Sequence, residues 1–165
     1  MRKKHLLILF SSLLFLGTAV FLYPWLYPWH LTVFAPKEEQ LLHRFSLQKN
    51  ASFSLIYIHS VTQREVSGTF AVTKGGKIKP LTTTFDAYGP GLPYLDGSLS
   101  YIQQGNAYVV SHEEEPRDKI SLFVSPLTGE RLVWEDGELD ISGFQESPQL
   151  LHIYPERKFR YNLLK

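Results

Sequence analysis

From Leu6 to Tyr23 the chain runs 18 residues without a charge, "LLILFSSLLFLGTAVFLY". As a helix rising 1.5 Å per residue this run spans roughly 27 Å, close to the thickness of a bilayer core. Its polar members, Ser11, Ser12 and Thr18, can return their hydroxyls to the helix backbone. Arg2, Lys3 and Lys4 precede it. Tyr23, Trp25, Tyr27 and Trp29 end it, rings of the kind that gather at membrane interfaces. Pro24 and Pro28 among them discourage a continuing helix. Residues 1–29 thus read as a membrane-associated segment, and residues 30–40, around Pro36, as a connector.

From Leu41 the pattern changes to short runs rich in Val, Ile, Thr, Tyr and Phe, broken by Gly and Pro. It predicts strands at 41–47, 52–59, 65–73, 77–86, 107–111, 119–125, 131–134, 138–141, 149–154 and 158–164. Gly75-Gly76 and Asp136-Gly137 read as hairpin turns, because such turns need residues that accept φ > 0. Further turn signals are Lys49-Asn50, Gly105-Asn106 and Thr128-Gly129. No stretch after Gln40 keeps a helical apolar period over ten residues. The expected fold is all-β, an antiparallel β-sandwich or flattened barrel over residues 41–165.

Two fates suit the N-terminal segment. It stays as a signal-anchor with a cytoplasmic basic end, contacting the membrane through residues 6–23, or it is a signal peptide cut after Gly17-Thr18-Ala19. The continuing apolar run favours the anchor. Both place the β-domain outside the cytoplasm. Composition then narrows the partners. The chain has 17 Lys+Arg, of which 14 follow residue 36 and face 16 Asp+Glu. That balance is no footprint for nucleic acid, which calls for a basic face. The absence of Cys removes disulfides, thiolate metal sites and Cys nucleophiles. No cofactor fingerprint is present.

Three stretches could carry chemistry. In "SLIYIHSV" strand alternation puts Phe53, Leu55, Tyr57 and His59 on one face and Ser60 on the other. His59 and Ser60 therefore do not form a nucleophile–base pair with each other. A core or rim His bonded to a backbone carbonyl is the favoured account over a catalytic base. In "FDAYGPGLPY", the residues Gly89, Pro90, Gly91 and Pro93 fix an irregular loop whose N–H groups could face an anion or partner, flanked by Asp86 and Asp96. A rigid turn is the commoner explanation. In "SHEEEPRDK", His112, Glu113, Glu114, Glu115 and Asp118 are oxygen and nitrogen donors without metal-site spacing, so a solvated loop is favoured.

"IYIHSV" followed by "FDAYGPGLP" resembles the bacterial domain of unknown function 1850 family. Its members carry a Tyr-x-His-Ser-Val segment and then Phe-x-x-x-Gly-x-Gly-x-Pro. Here these would be Tyr57, His59, Ser60 and Val61, then Phe85, Gly89, Gly91 and Pro93. The family's usual acid after His-Ser-Val is replaced by Thr62, which puts any polar site there in doubt. The resemblance implies a small exported or anchored β-protein. It also implies an accessory role beside TAXI-type TRAP transporters, which take up small organic acids. The expectation is a non-catalytic binding module whose contact residues are Tyr57, His59, Ser60, Phe85, Gly89, Gly91 and Pro93. The alternatives are an envelope hydrolase drawing on Ser60 or Ser98, His59 or His112, and Asp86, and a purely structural envelope protein.

Overall fold

The computed structural model describes residues 2–47, 52–93, 100–144 and 147–159, less the side chains of residues 2–4, 6–9, 21, 24 and 25. The chain opens with α1 (Arg2–Leu26). Among the described residues eleven strands follow: β1 (Trp29–Ala35), β2 (Gln40–Ser46), β3 (Ser52–Ile58), β4 (Glu65–Val72), β5 (Ile78–Phe85), β6 (Tyr101–Gln104), β7 (Ala107–Ser111), β8 (Ile120–Val124), β9 (Arg131–Trp134), β10 (Gly137–Asp140) and β11 (Gln149–Arg157). They form a four-stranded sheet, β2-β1-β11-β8, and a seven-stranded sheet, β10-β9-β3-β4-β5-β7-β6. Every pairing is antiparallel. The fold is a two-sheet sandwich and not a closed barrel.

The inner faces meet where their apolar alternation coincides. Leu31, Val33 and Ala35 of β1, Leu151 and Ile153 of β11, Phe53 of β3, Ile78 of β5 and Leu132 of β9 are fully or almost fully buried in one cluster. Each of these Leu, Val, Ile and Phe side chains contributes about 1.5–3 kcal/mol by leaving water, and Ala35 less. Phe45 and Trp134 stack between the sheets with centroids 3.9 Å apart. A second cluster, Val66, Phe85 and Val110, lies farther along the larger sheet, with Tyr57, Leu92 and Tyr108 against it.

Residues 30–40 are not the expected connector. Residues 30–35 belong to β1, which lies inside the smaller sheet between β2 and β11. Leu31, Val33 and Ala35 supply the buried alternation, and only the turn at residues 36–39 connects strands. The β-domain therefore starts at Trp29. The expected strand at 149–154 continues to Arg157. Lys158 and Phe159 lie beyond it, and the rest of the strand expected at 158–164 lies outside the described residues. Strand β6, Tyr-Ile-Gln-Gln at the sheet edge, carried too little pattern to be foreseen. The last hairpin turns through Glu135-Asp136, with Gly137 paired to Trp134. Gly137 is needed for space rather than for positive φ, since a Cβ there would stand 2.9 Å from the Trp134 ring.

Helix α1 continues past Pro24 to Leu26. Its apolar residues occupy the whole circumference, and Phe10, Leu13, Leu14, Phe15, Leu16 and Val20 are exposed. Among the described residues no helix is long and apolar enough to cross a membrane. Positions 6–9 and 21 of the uncharged run lie outside the described side chains.

Candidate functional site

Three loops converge at one end of the sandwich, where β3 finishes. Residues 59–64 turn from β3 into β4. The His59 N–H donates to the Arg64 carbonyl and the Gln63 N–H to the His59 carbonyl, both at 2.8 Å. Gln63 closes the turn at φ 54°, the left-handed region. The second loop begins at Asp86, after β5. Within it Leu92 N–H donates to Gly89 O at 3.2 Å, with Pro90 and Gly91 between and Gly91 at φ 84°. Pro at the second position and a positive φ at the third define a type II turn. The third is the turn Ser125–Gly129, whose Thr128 carbonyl accepts from the Ile58 N–H at 2.9 Å. Buried Glu130 supports it, its Oε1 taking the Thr128 hydroxyl at 2.5 Å.

His59 ties the first two loops together. Its side chain is buried, at 6% exposure. Nδ1 accepts from the N–H groups of Val61 and Thr62, both at 3.3 Å, and Nε2 lies 2.9 Å from the Pro90 carbonyl. These partners assign the neutral tautomer with hydrogen on Nε2, because a carbonyl can only accept and a backbone N–H can only donate. Gly89 lies against the ring, and a Cβ there would stand 2.6 Å from Cε1. A second link runs beside the first. The Arg64 Nε donates to both carboxylate oxygens of Asp86, at 3.1 and 3.0 Å, and Nη2 closes on Oδ2. That guanidinium hydrogen bond holds the Asp86 carboxyl below the usual carboxylate range.

The seven expected contact residues separate into different roles. His59 and Gly89 touch. Ser60 is exposed, with its carbonyl taking the Gln63 side-chain amide at 2.7 Å. Gly91 shapes the turn, and half-buried Pro93 follows it. Phe85 is 2% exposed and belongs to the second core cluster, with Tyr57 packed on it. Burial pushes the Tyr57 phenol up. With both ring nitrogens of His59 committed to backbone groups, no lone pair remains to take a proton from Ser60. Asp96 and Ser98 lie outside the described residues.

The acidic segment offers no metal centre: among the described residues no group of three or more His, Cys, Asp or Glu is placed to hold an ion. Glu114 is engaged by Arg117, and Asp118 lies 3.7 Å from Lys77. His112 instead meets a residue that the sequence did not flag. Its Nε2 lies 2.7 Å from Thr83 Oγ1, and its Nδ1 lies 3.8 Å from Glu114 Oε1. Thr62 Oγ1, beside His59, is buried without a hydrogen-bond partner. These placements follow from strand register and loop packing, which spacing along the chain does not report.

Neither a curated protein nor a solved structure matches the chain. Residues 53–141, over half of the 165, match the family model described as "Domain of unknown function (DUF1850)". That segment covers β8 and all of the seven-stranded sheet except Ser52, and it contains both halves of the His59–Pro90 link. The chain belongs to the DUF1850 family of domains of unknown function.

Proposed function

We propose that this protein is a membrane-anchored, extracytoplasmic binding or accessory module, with its three converging loops as the contact surface. The observation that carries this reading is the combination of a locked base with an exposed rim. Backbone hydrogen bonds immobilise His59 and the loops around it, while Ser60, Val61, Tyr88 and Leu127 face water from those same loops. Leu127 is 92% exposed and Val61 68%. Rigid loops that present apolar side chains lose little conformational entropy on binding. The uncharged run at residues 6–23, its basic start and the exposed apolar side chains of Phe10, Leu13, Leu14, Phe15, Leu16 and Val20 support anchorage with the N-terminus in the cytoplasm. The family resemblance suggests subunits of a TRAP-type organic-acid transporter as the partner.

The test is a pull-down from detergent-solubilised membranes with wild type and Leu127→Asp. Recovery of transporter subunits by the wild type and their loss with Leu127→Asp is the expected result. Equal recovery with both proteins, or none with either, overturns it.

A second reading, a hydrolase, has one observation in its favour. Thr83, His112 and Glu114 stand in the order nucleophile, base, acid. The second link, from His112 to Glu114, is not made, because 3.8 Å exceeds hydrogen-bond reach and Arg117 engages Glu114. Labelling of Thr83 by an acylating probe, abolished by His112→Gln, would favour this reading over the first.

A further inference from the structure

The end of the β-domain opposite the three loops is fastened to α1. Arg157, the last residue of β11, donates from Nη1 to the Tyr27 carbonyl at 2.9 Å. Its guanidinium carbon lies 4.5 Å from the Trp29 ring centroid and 5.3 Å from that of Tyr23. Tyr23 and Tyr27 stack at 5.1 Å, and Phe159 meets Tyr27 edge-on at 5.4 Å. The Pro28 carbonyl takes the Lys158 N–H at 3.4 Å. The guanidinium caps the carbonyl of Tyr27, the residue just after α1, where the helix dipole favours a cation. Helix and domain thus join through a packed clamp, with no free linker between them.

The clamp brings a second element to the same level. A Cβ on Gly76 would stand 2.1 Å from the Trp29 ring, so the β4–β5 turn, residues 73–77, lies directly against that indole. Lys74 and Lys77 are exposed on this turn. Asp118 offsets Lys77 at 3.7 Å and Glu156 offsets Lys158 at 3.2 Å. Glu135 and Asp136 turn at this same end, on the hairpin two strands away from β4. Lys74 and Arg157 bring the cations at this end to four, equal in number to the acids Asp118, Glu156, Glu135 and Asp136, so net charge does not select the occupant. Eight residues of β4, about 3.3 Å each, separate this turn from the 59–64 loop.

We infer that this end of the domain lies flat on the phospholipid surface. Trp29 and the Tyr23–Tyr27 pair sit at the interface, and headgroup phosphates take Lys74, Lys77 and Arg157. The inference rests on the anchorage proposed above and adds an orientation to it: the clamp points the loops around His59 away from the bilayer. The aromatic rings of Tyr23, Tyr27 and Trp29, which run from the end of α1 to the foot of the β4–β5 turn, select a lipid surface as the occupant.

A chain without Cys accepts unique labels. Nitroxide is attached to the full chain at Gly75→Cys, with Lys74→Cys as a second position and Leu127→Cys as the distal reference. The host is vesicles of equimolar phosphatidylcholine and phosphatidylglycerol. The readout is collision of each label with dissolved oxygen and with a water-soluble nickel chelate. Expected is a several-fold lower nickel collision rate at the turn labels than at Leu127→Cys, rising when Lys77→Glu and Arg157→Ala are added. Turn labels as nickel-accessible as the reference, in protein that floats with the vesicles, overturn the orientation and leave anchorage standing. Protein that does not float at all overturns both.

Discussion

The Nε2–H of His59 donates to the carbonyl of Pro90 at 2.9 Å, and this bond joins two loops that are 31 residues apart in sequence. It makes the histidine a positioning residue. The ring donates once and accepts twice, and every partner is a backbone group. His59→Ala removes all three bonds and opens a cavity, so it should lower unfolding stability by about 3 kcal/mol. The domain stays folded but its loops loosen. Urea denaturation and hydrogen exchange at Leu92, whose amide closes the type II turn, check this. Unchanged exchange at Leu92 would show that the loop holds without His59.

Gly89 and Gly91 are two residues apart but are glycine for different reasons. At Gly89 an added methyl meets the His59 ring, so Gly89→Ala forces the ring or the loop to move and should cost about 1–3 kcal/mol. At Gly91 the space is open and the cost is backbone strain at φ 84°, about 1–2 kcal/mol. The double-mutant cycle separates them. Gly89→Ala in a His59→Ala background should cost much less than alone, while the cost of Gly91→Ala is unchanged.

Thr62 hides a hydroxyl that makes no hydrogen bond. Valine has the same shape without the polar atom. Thr62→Val should therefore raise stability by about 1 kcal/mol, read as a higher urea midpoint at unchanged slope. A fall in the midpoint would mean that the hydroxyl does have a partner.

Glu156 gives the acid limb of stability. Burial alone would raise its pKa, but the Thr32 hydroxyl, Lys158 and Arg44 together hold it below its ordinary 4.5. Thr32 Oγ1 lies 2.6 Å from Oε1 and Arg44 Nε 2.8 Å from it. A depressed folded pKa means that the unfolded chain binds the proton more readily. The stabilisation is present in full above the unfolded value and is lost as pH falls from about 4.5 through the folded one. Glu156→Gln should melt below wild type at pH 7, and the gap in Tm should close as the acid limb is crossed. A gap that is constant with pH would remove Glu156 as its source.

The strands were legible where one face packs and the other does not. Phe53-Ser54-Leu55-Ile56-Tyr57 and Arg131–Trp134 carry patterns that survive in any β context, and both formed within a residue or so of expectation. β1 was misread because its neighbours, the apolar run before it and Pro36 after it, obscured five alternating residues. β6 was missed because an exposed edge strand has no buried face to impress on its sequence. The turn around Gly91 was readable, since positive φ selects glycine. The requirement for Gly89 was not, since it comes from a ring that approaches across a loop.

The sequence by itself determined a cysteine-free β-fold behind an apolar N-terminal run, because alternation, turn chemistry and composition are local properties of the chain. Only the tertiary structure decided that His59 spends both nitrogens on backbone, that Thr83 meets His112, and that Arg157 clamps the domain to its helix. Each of these is a contact between distant segments, and contact geometry depends on register and packing, which residue spacing does not encode.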